Sequence, residues 1–220
     1  MAISYQQMQL ALRARLLTLQ ACTTGSVSLS ATATGYARAS GSFLTDGFRP
    51  GMEVAGTGFA NAANNAAKTI TAVTATKLTC AGTVTEAAGT RTLAVGLPAA
   101  RAWENVETST KTGEPFVVEQ FVPGGTTQFA AGPGGMMEAQ ALYSVQVYVP
   151  TKYGVGAAHG YIDALMTLFA PRVAMTLTNG DTLRVRADTG PYRGQLISRE
   201  PGWATVPFTV PLRLYTKNPV

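Results

Sequence analysis

Charge is scarce in this chain. Only 13% of its 220 residues are Asp, Glu, Lys or Arg, well below the usual quarter of a soluble domain. A surface so poor in charge suits a subunit whose faces are covered by neighbours, and equally a small β domain with a Thr-rich exterior. What charge there is adds to +5. It is spread as +2 over residues 1–24, +2 over 25–96 and +1 over 97–220, with no Lys/Arg run and no interleaving of basic and aromatic residues. Tight nucleic-acid binding rests on clustered phosphate contacts, so only nonspecific contact with passing DNA is left open. Cysteine is nearly absent too. Cys22 and Cys80 make neither a disulfide framework nor a metal set, and both read as small, reduced, buried residues. No apolar run approaches the length of a membrane span, and the N-terminus lacks a basic region followed by an apolar core. The expectation is a protein made and used in cytoplasm, with no membrane partner.

Alanine, threonine, glycine and regular patterns fill the space that charge leaves. Residues 4–20 predict a helix. Ser4 followed by Gln7 fits a capping box, Ile3 and Met8 fit a hydrophobic staple, and Met8, Leu12, Leu16 and Leu19 recur at helical spacing. Residues 25–96 change character: more than half are Ala, Thr or Gly. Short β-prone pieces ("SVSLSA", "GMEVAG", "KTITAVT", "TKLTC", "RTLAV") alternate there with turn signals such as Asp46-Gly47 and Asn64-Asn65. The stretch "SGSFLTDGFRPGMEVAGTGF" (40–59) reads as short strands joined by tight turns.

Residues 97–220 return to a mixed pattern. "PFVVEQF" (115–121) and "ALYSVQVYV" (141–149) predict strands on either side of a Gly-rich stretch. "GAAHGYIDALMTLFAP" (156–171) predicts a second helix stopped by Pro171. "VAMTLTNGDTLRVRA" (173–187) predicts a hairpin at Asn179-Gly180. "TVPFTVPLRLY" (205–215) predicts a last strand. Pro207 and Pro211 cannot donate to a ladder, which places that strand at a sheet edge or on a bulge. The first helix then needs the later sheet to pack on, because two layers must cover one core. The fold expected is α+β: a two-layer core of mixed or antiparallel sheet on two helices, formed by 1–24 and 97–220. Residues 25–96 are expected to be an inserted all-β domain.

A search for chemistry yields little. His159 is the only histidine and has no Cys, Asp or Glu at metal-ligand spacing; its nearest carboxylate, Asp163, is one helical turn on. "PGGTTQFAAGPGG" (123–135) lacks the Lys-Ser/Thr of a phosphate loop, and "YGVGAAHG" (153–160) reads as a strand-to-helix turn. Glu104, Glu107, Glu114 and Glu119 cluster in sequence, with nothing to make two of them face each other. Arg184 and Arg186 share one face of a strand, as the wet side of a half-buried strand or as a polar face toward an acidic partner or DNA. No nucleophile–base pair, metal set or cofactor motif emerges, so the sequence predicts a non-enzyme without cofactor or metal. Phe129, Met136 and Met137 are apolar anchors on the long Gly-rich connection. Together with Pro207, Thr209 and Pro211 on the last strand, they are the candidates for contact with neighbouring subunits.

Residues 97–220 and the first helix resemble the tail terminator family of long-tailed bacteriophages, the lambda-like tail completion proteins. The resemblance rests on the order of "AWENVE" (102–107), "GEPFVVEQFVP" (113–123), a Gly-rich span, "YSVQVYVPTKYGVGAAHGYIDALMTLF" (143–169) with its P-x-x-x-G-x-G turn, and "GWATVPFTVPLRLY" (202–215). It implies a two-layer α+β fold and a hexameric ring that caps the tail tube and meets the head-side connector. Such a ring would be assembled in the host cytoplasm, carried in the virion, and crossed by DNA without sequence-specific binding. The segment 25–96 resembles the small β domains that decorate phage tail proteins, a departure from lambda-type terminators. Two other readings stand beside it: a tail tube or connector subunit, and a carbohydrate- or ligand-binding protein acting through the β segment. In the latter, Tyr36, Phe43, Phe48 and Phe59 are the only aromatics available within 25–96.

Overall fold

The computed structural model describes residues 4–103, 113–130, 135–197 and 202–217. The chain opens with helix α1 (Tyr5–Leu16), capped by the Ser4 hydroxyl, which accepts the Gln7 N–H. Met8, Leu12 and Leu16 form its buried stripe. The helix stops four residues short of its expected end, because Gln20–Thr23 is strand β1. The chain then runs through β2 (Val27–Thr32), β3 (Gly35–Arg38), β4 (Glu53–Thr57), the short helix α2 (Ala62–Asn65), β5 (Lys68–Val73), β6 (Lys77–Cys80) and β7 (Glu86–Gly96).

These strands close into a six-stranded antiparallel barrel in the order β7-β2-β3-β6-β5-β4, with β4 returning to β7. Closure removes the exposed edges that short strands would otherwise offer. β1 lies beside the C-terminal half of β7, with Cys22 opposite Val95. The β2–β3 turn depends on Gly35, at φ 137°, where any Cβ would fall 1.9 Å from the Leu78 carbonyl oxygen. Residues 40–51 are not strands as expected. They form a coiled loop that carries Phe43 and Phe48 edge-to-face into the core. Arg38 is buried beneath this loop, paired with Asp46 at 2.6 Å and lying over the Phe43 ring at 4.2 Å.

The second sheet takes the rest of the chain: β8 (Ala100–Trp103), β9 (Phe116–Gln128), β10 (Met136–Pro150), a 3-10 turn (Thr151–Tyr153), helix α3 (Gly156–Leu168), β11 (Ala174–Thr176), β12 (Thr182–Val185), β13 (Tyr192–Arg193) and β14 (Trp203–Lys217). Its order is β11-β12-β14-β10-β9-β8, with β13 also on β14, and among the described residues only the β8–β9 pairing is parallel. Strands β9, β10 and β14 run 13 to 15 residues. Strands of that length carry a large accumulated twist, and the sheet curls into a half-barrel. α1 and α3 lie on its inner side, where Tyr143, Val145, Val147, Phe208, Val210 and Leu212 are buried. The Arg15 Nε donates to the Leu168 carbonyl at 2.9 Å, tying the two helices together.

The expected α+β class is therefore corrected. The molecule is mostly β: a six-stranded antiparallel barrel plus a curled half-barrel sheet, with two substantial helices among the described residues. The sequence reading stopped β9 at Phe121, because glycine and proline there look like loop, and so underestimated how much of the second sheet is strand. The position of the last strand is corrected too. β14 is central, flanked by β10 on one side and by β12 and β13 on the other. Thr205 exchanges both of its backbone hydrogen bonds with Ile197, so odd-numbered residues of β14 point their backbone groups toward the β12/β13 side. That side is interrupted. The Pro207 and Pro211 carbonyls accept from Gly194 and Arg186, and their missing N–H groups fall on the gapped side, so the continuous ladder to β10 loses no donor.

One hydrophobic cluster runs through both sheets. The Glu53 N–H donates to the Tyr161 Oη at 3.1 Å, and the Ala99 N–H donates to the Glu53 carboxylate at 2.9 Å. Gly160 lies under Met52, whose Cε would be 2.3 Å from any Cβ placed there.

Candidate functional site

The β9–β10 hairpin carries the longest exposed run among the described residues, Val122 to Ala130. Its two strands pair as far as Gln128 opposite Met137, and the Phe129 N–H donates to the Met136 carbonyl. From Val122 onward every described residue of β9 is exposed on both faces. Among the described residues β8 pairs with β9 only from Phe116 to Glu119, and no described strand pairs with the far side of β9 beyond that point. Tyr5 Oη donates to the Gly124 carbonyl at 3.2 Å and steadies the arm near its root. Phe129 is 62% exposed and Met136 49% exposed, although the Phe129 ring lies 6.4 Å from that of Tyr215. Met137 is half-buried.

The other three proposed contact residues lie elsewhere, on the outer face of the half-barrel. Pro207 and Thr209 are half-buried and Pro211 is buried. Thr209 stands between Ser144 and Tyr192 in register. Val122 and Leu142 face each other across β9 and β10 on the same outer side, both exposed. The structure thus separates the six candidates into an arm tip and a sheet face.

Arg184 is exposed on β12, with Leu183 and Val185 buried beside it, as alternation predicted. It stands directly opposite Arg213 of β14. Arg186 donates to the Asp188 carboxylate through Nε and Nη2 at 3.1 and 2.6 Å, which holds the Asp188 carboxyl down at about 2. Arg172 and Arg213 complete the cluster. Sequence reasoning missed both, although Arg213 sits on the polar parity of the last strand.

The remaining candidates do not converge. His159 is exposed on the first turn of α3. Glu114 is exposed, Glu119 is 3% exposed, and Glu104 and Glu107 lie outside the described residues. Glu119 shares the inner face of β9 with Val117 and Phe121, a signal the alternation already held. It accepts a hydrogen bond from Tyr143 and lies 4.0 Å from Arg13. Burial pushes its carboxyl above the usual range, against the opposing pull of Tyr143 and Arg13. Cys22 and Cys80 are free and buried, and burial pushes their thiols up to about 12 and about 11. Among the described residues no group of His, Cys, Asp and Glu could hold a metal ion, and no helix is long and apolar enough to cross a membrane. Tyr36, Phe43, Phe48 and Phe59 are all buried, so the aromatics of the barrel offer no stacking platform for a sugar.

A family described as phage tail terminator protein matches residues 83–212, more than half of the chain. The chain belongs to the phage tail terminator family. That family is structural rather than enzymatic, which makes the protein a bacteriophage tail component and hence part of the virion. The terminator match begins just before β7, the last barrel strand, and ends within β14. No curated protein matches the chain. One solved structure is similar at 23% identity, over 54% of this chain and 79% of its own, with a TM-score of 0.43. At that score the likeness carries no argument.

Proposed function

We propose that copies of this tail terminator assemble into a ring that closes the head-proximal end of the tail tube and presents its opposite face to the head-side connector. The resemblance to lambda-like terminators sets the expected number at six, with a lumen that DNA crosses without sequence-specific contacts. The observation that carries the reading is the β9–β10 arm on a chain of this family. A hairpin arm whose Val122–Gln128 strand is exposed throughout, and which carries an exposed Phe129 and Met136, gains by burying them against a neighbouring subunit or the tube. The outer sheet face around Pro207, Thr209 and Pro211 supplies a second, different patch, as the head-to-tail contacts of a cyclic ring require.

Electron microscopy of the purified protein, alone and mixed with tail tubes, tests this. Single or paired rings, and tubes closed at one end, are expected. Long tubes formed by the protein alone would instead assign it to the tube or connector. A monodisperse monomer at high concentration that leaves tube ends open would overturn the proposal.

A further inference from the structure

We propose that the arginine cluster at the β12–β14 border is a binding pocket for a carboxylate, supplied by an acidic segment of a protein partner. Arg172, Arg184, Arg186 and Arg213, with Tyr215, line a cavity of about 200 Å3. Among the described residues two carboxylates serve these four guanidinium groups. Asp188 is shared between Arg186 and Arg213, at 2.6 and 3.6 Å, and Glu138 lies 3.5 Å from Arg213. Arg213 also donates to Tyr215 Oη at 3.0 Å. The side chains of Arg172 and Arg184 have no hydrogen bond or ion pair among the described residues.

Two features make this more than a solvated patch. Arg184 and Arg213 are directly opposed cross-strand partners, and like charges so placed destabilise a sheet. Of this opposed pair Arg213 has Glu138 and Asp188 at 3.5 and 3.6 Å, whereas Arg184 has no ion pair among the described residues. Arg172, meanwhile, is the only non-glycine residue with positive φ among those described, at 69°. The turn that holds it there is fixed by backbone bonds to Val185 on the same strand as Arg184: the Arg172 N–H donates to the Val185 carbonyl, and the Val185 N–H to that of Val173. The fold therefore keeps at the cavity wall a second guanidinium with no ion pair among the described residues, in a backbone region that side chains rarely adopt.

The shape selects the ligand. The cavity takes a single head group, and guanidinium forks match a carboxylate by paired hydrogen bonds. A nucleic-acid backbone presents a continuous row of charges and calls for a track of cations. Here Glu138 and Asp188 flank the arginines and would repel its next phosphates.

The test is fluorescence anisotropy of a dye-labelled peptide that carries one glutamate among glycines and serines, at low salt, with a single-stranded oligonucleotide and inorganic phosphate as competitors. Arg184→Gln and Arg172→Gln are each expected to weaken peptide binding about tenfold, the scale of one lost charge-assisted hydrogen bond. Arg193→Gln, which removes an exposed arginine elsewhere, should leave binding unchanged. Arg184→Lys should fall between, because charge persists and the fork is lost. Thermal unfolding is a second readout: relieving the Arg184–Arg213 opposition should leave the Arg184→Gln melting temperature unchanged or raised. Equal peptide binding by all variants, stronger displacement by the oligonucleotide than by unlabelled peptide, or a lowered melting temperature for Arg184→Gln would each overturn the proposal.

Discussion

Two buried ionisable residues mark where single side chains matter most. The Arg38 side chain is 3% exposed and depends on Asp46 for its counter-charge. Removing the carboxylate leaves a guanidinium buried against Phe43. Asp46→Ala is therefore expected to cost about 3 kcal/mol, toward the lower end for a broken buried pair because Asp46 itself is partly solvated. Urea denaturation of the two proteins measures this directly, and a loss within error of zero would show that solvent reaches Arg38. Glu119 behaves oppositely. Its carboxyl is raised by burial, so the folded state holds the proton more tightly than the unfolded chain. The stability this group contributes is fully present below its unfolded pKa and is lost as pH rises through the folded one. Glu119→Gln cannot ionise, so its stability relative to the parent should climb with pH from the carboxylate range upward. Denaturation midpoints across that range provide the check, and a relative stability that falls with pH would reverse the assignment.

Strands and hairpins, rather than single residues, carry the proposed assembly. Phe129 and Met136 sit at the tip of the β9–β10 arm, away from the main core. Replacing both with serine should leave the melting temperature within a degree or two of the parent, because surface substitutions seldom exceed about 0.5 kcal/mol. The same variant should lose tube capping; full capping by it would make the tip incidental. The sheet face requires a different probe. Thr209 is half-buried between Ser144 and Tyr192, so Thr209→Asp places a charge on the outer surface of a central strand. Ring assembly, followed by sedimentation, should weaken more than folding does. Undiminished rings would move the interface away from β14.

The whole molecule raises the question of how its two sheets depend on each other. We propose that residues 25–96 fold as a unit inserted into the body formed by 1–24 and 97–220. Loop-closure entropy grows slowly with length, so a short Gly/Ser linker in place of 25–96 should still permit that body to form. The cost is visible in advance. β1 loses its partner β7, Cys22 loses Val95, and Tyr161 loses the Glu53 N–H it accepts. Gly160 would stand uncovered where Met52 now lies. The deletion variant is expected to unfold cooperatively at a lower temperature than the parent. Insoluble product without a cooperative transition would mean that the shared hydrophobic cluster makes one folding unit of the two sheets.

Much of this architecture follows from local pattern. The Ser4 cap, the Met8–Leu12–Leu16 stripe, α3, the Asn179-Gly180 hairpin and the odd-parity face of β10 all form where short-range rules place them, because caps, turns and alternation act over a few residues. The order of pieces along residues 97–220 likewise carried the family. What only the tertiary structure decided depends on partners distant in the chain. Gln20–Thr23 is strand because β7 is beside it, and glycine-rich Val122–Gln128 is strand because β10 lends it a ladder. Pro207 and Pro211 lie in a central strand because the gaps between β12 and β13 fall where their N–H groups are missing. The barrel closes through β4 and β7, some forty residues apart, and the half-barrel curls because long strands accumulate twist. The arginine pocket likewise exists only once β12, β14 and the turn after α3 are brought together, since no stretch of sequence holds Arg172, Arg184 and Arg213 side by side.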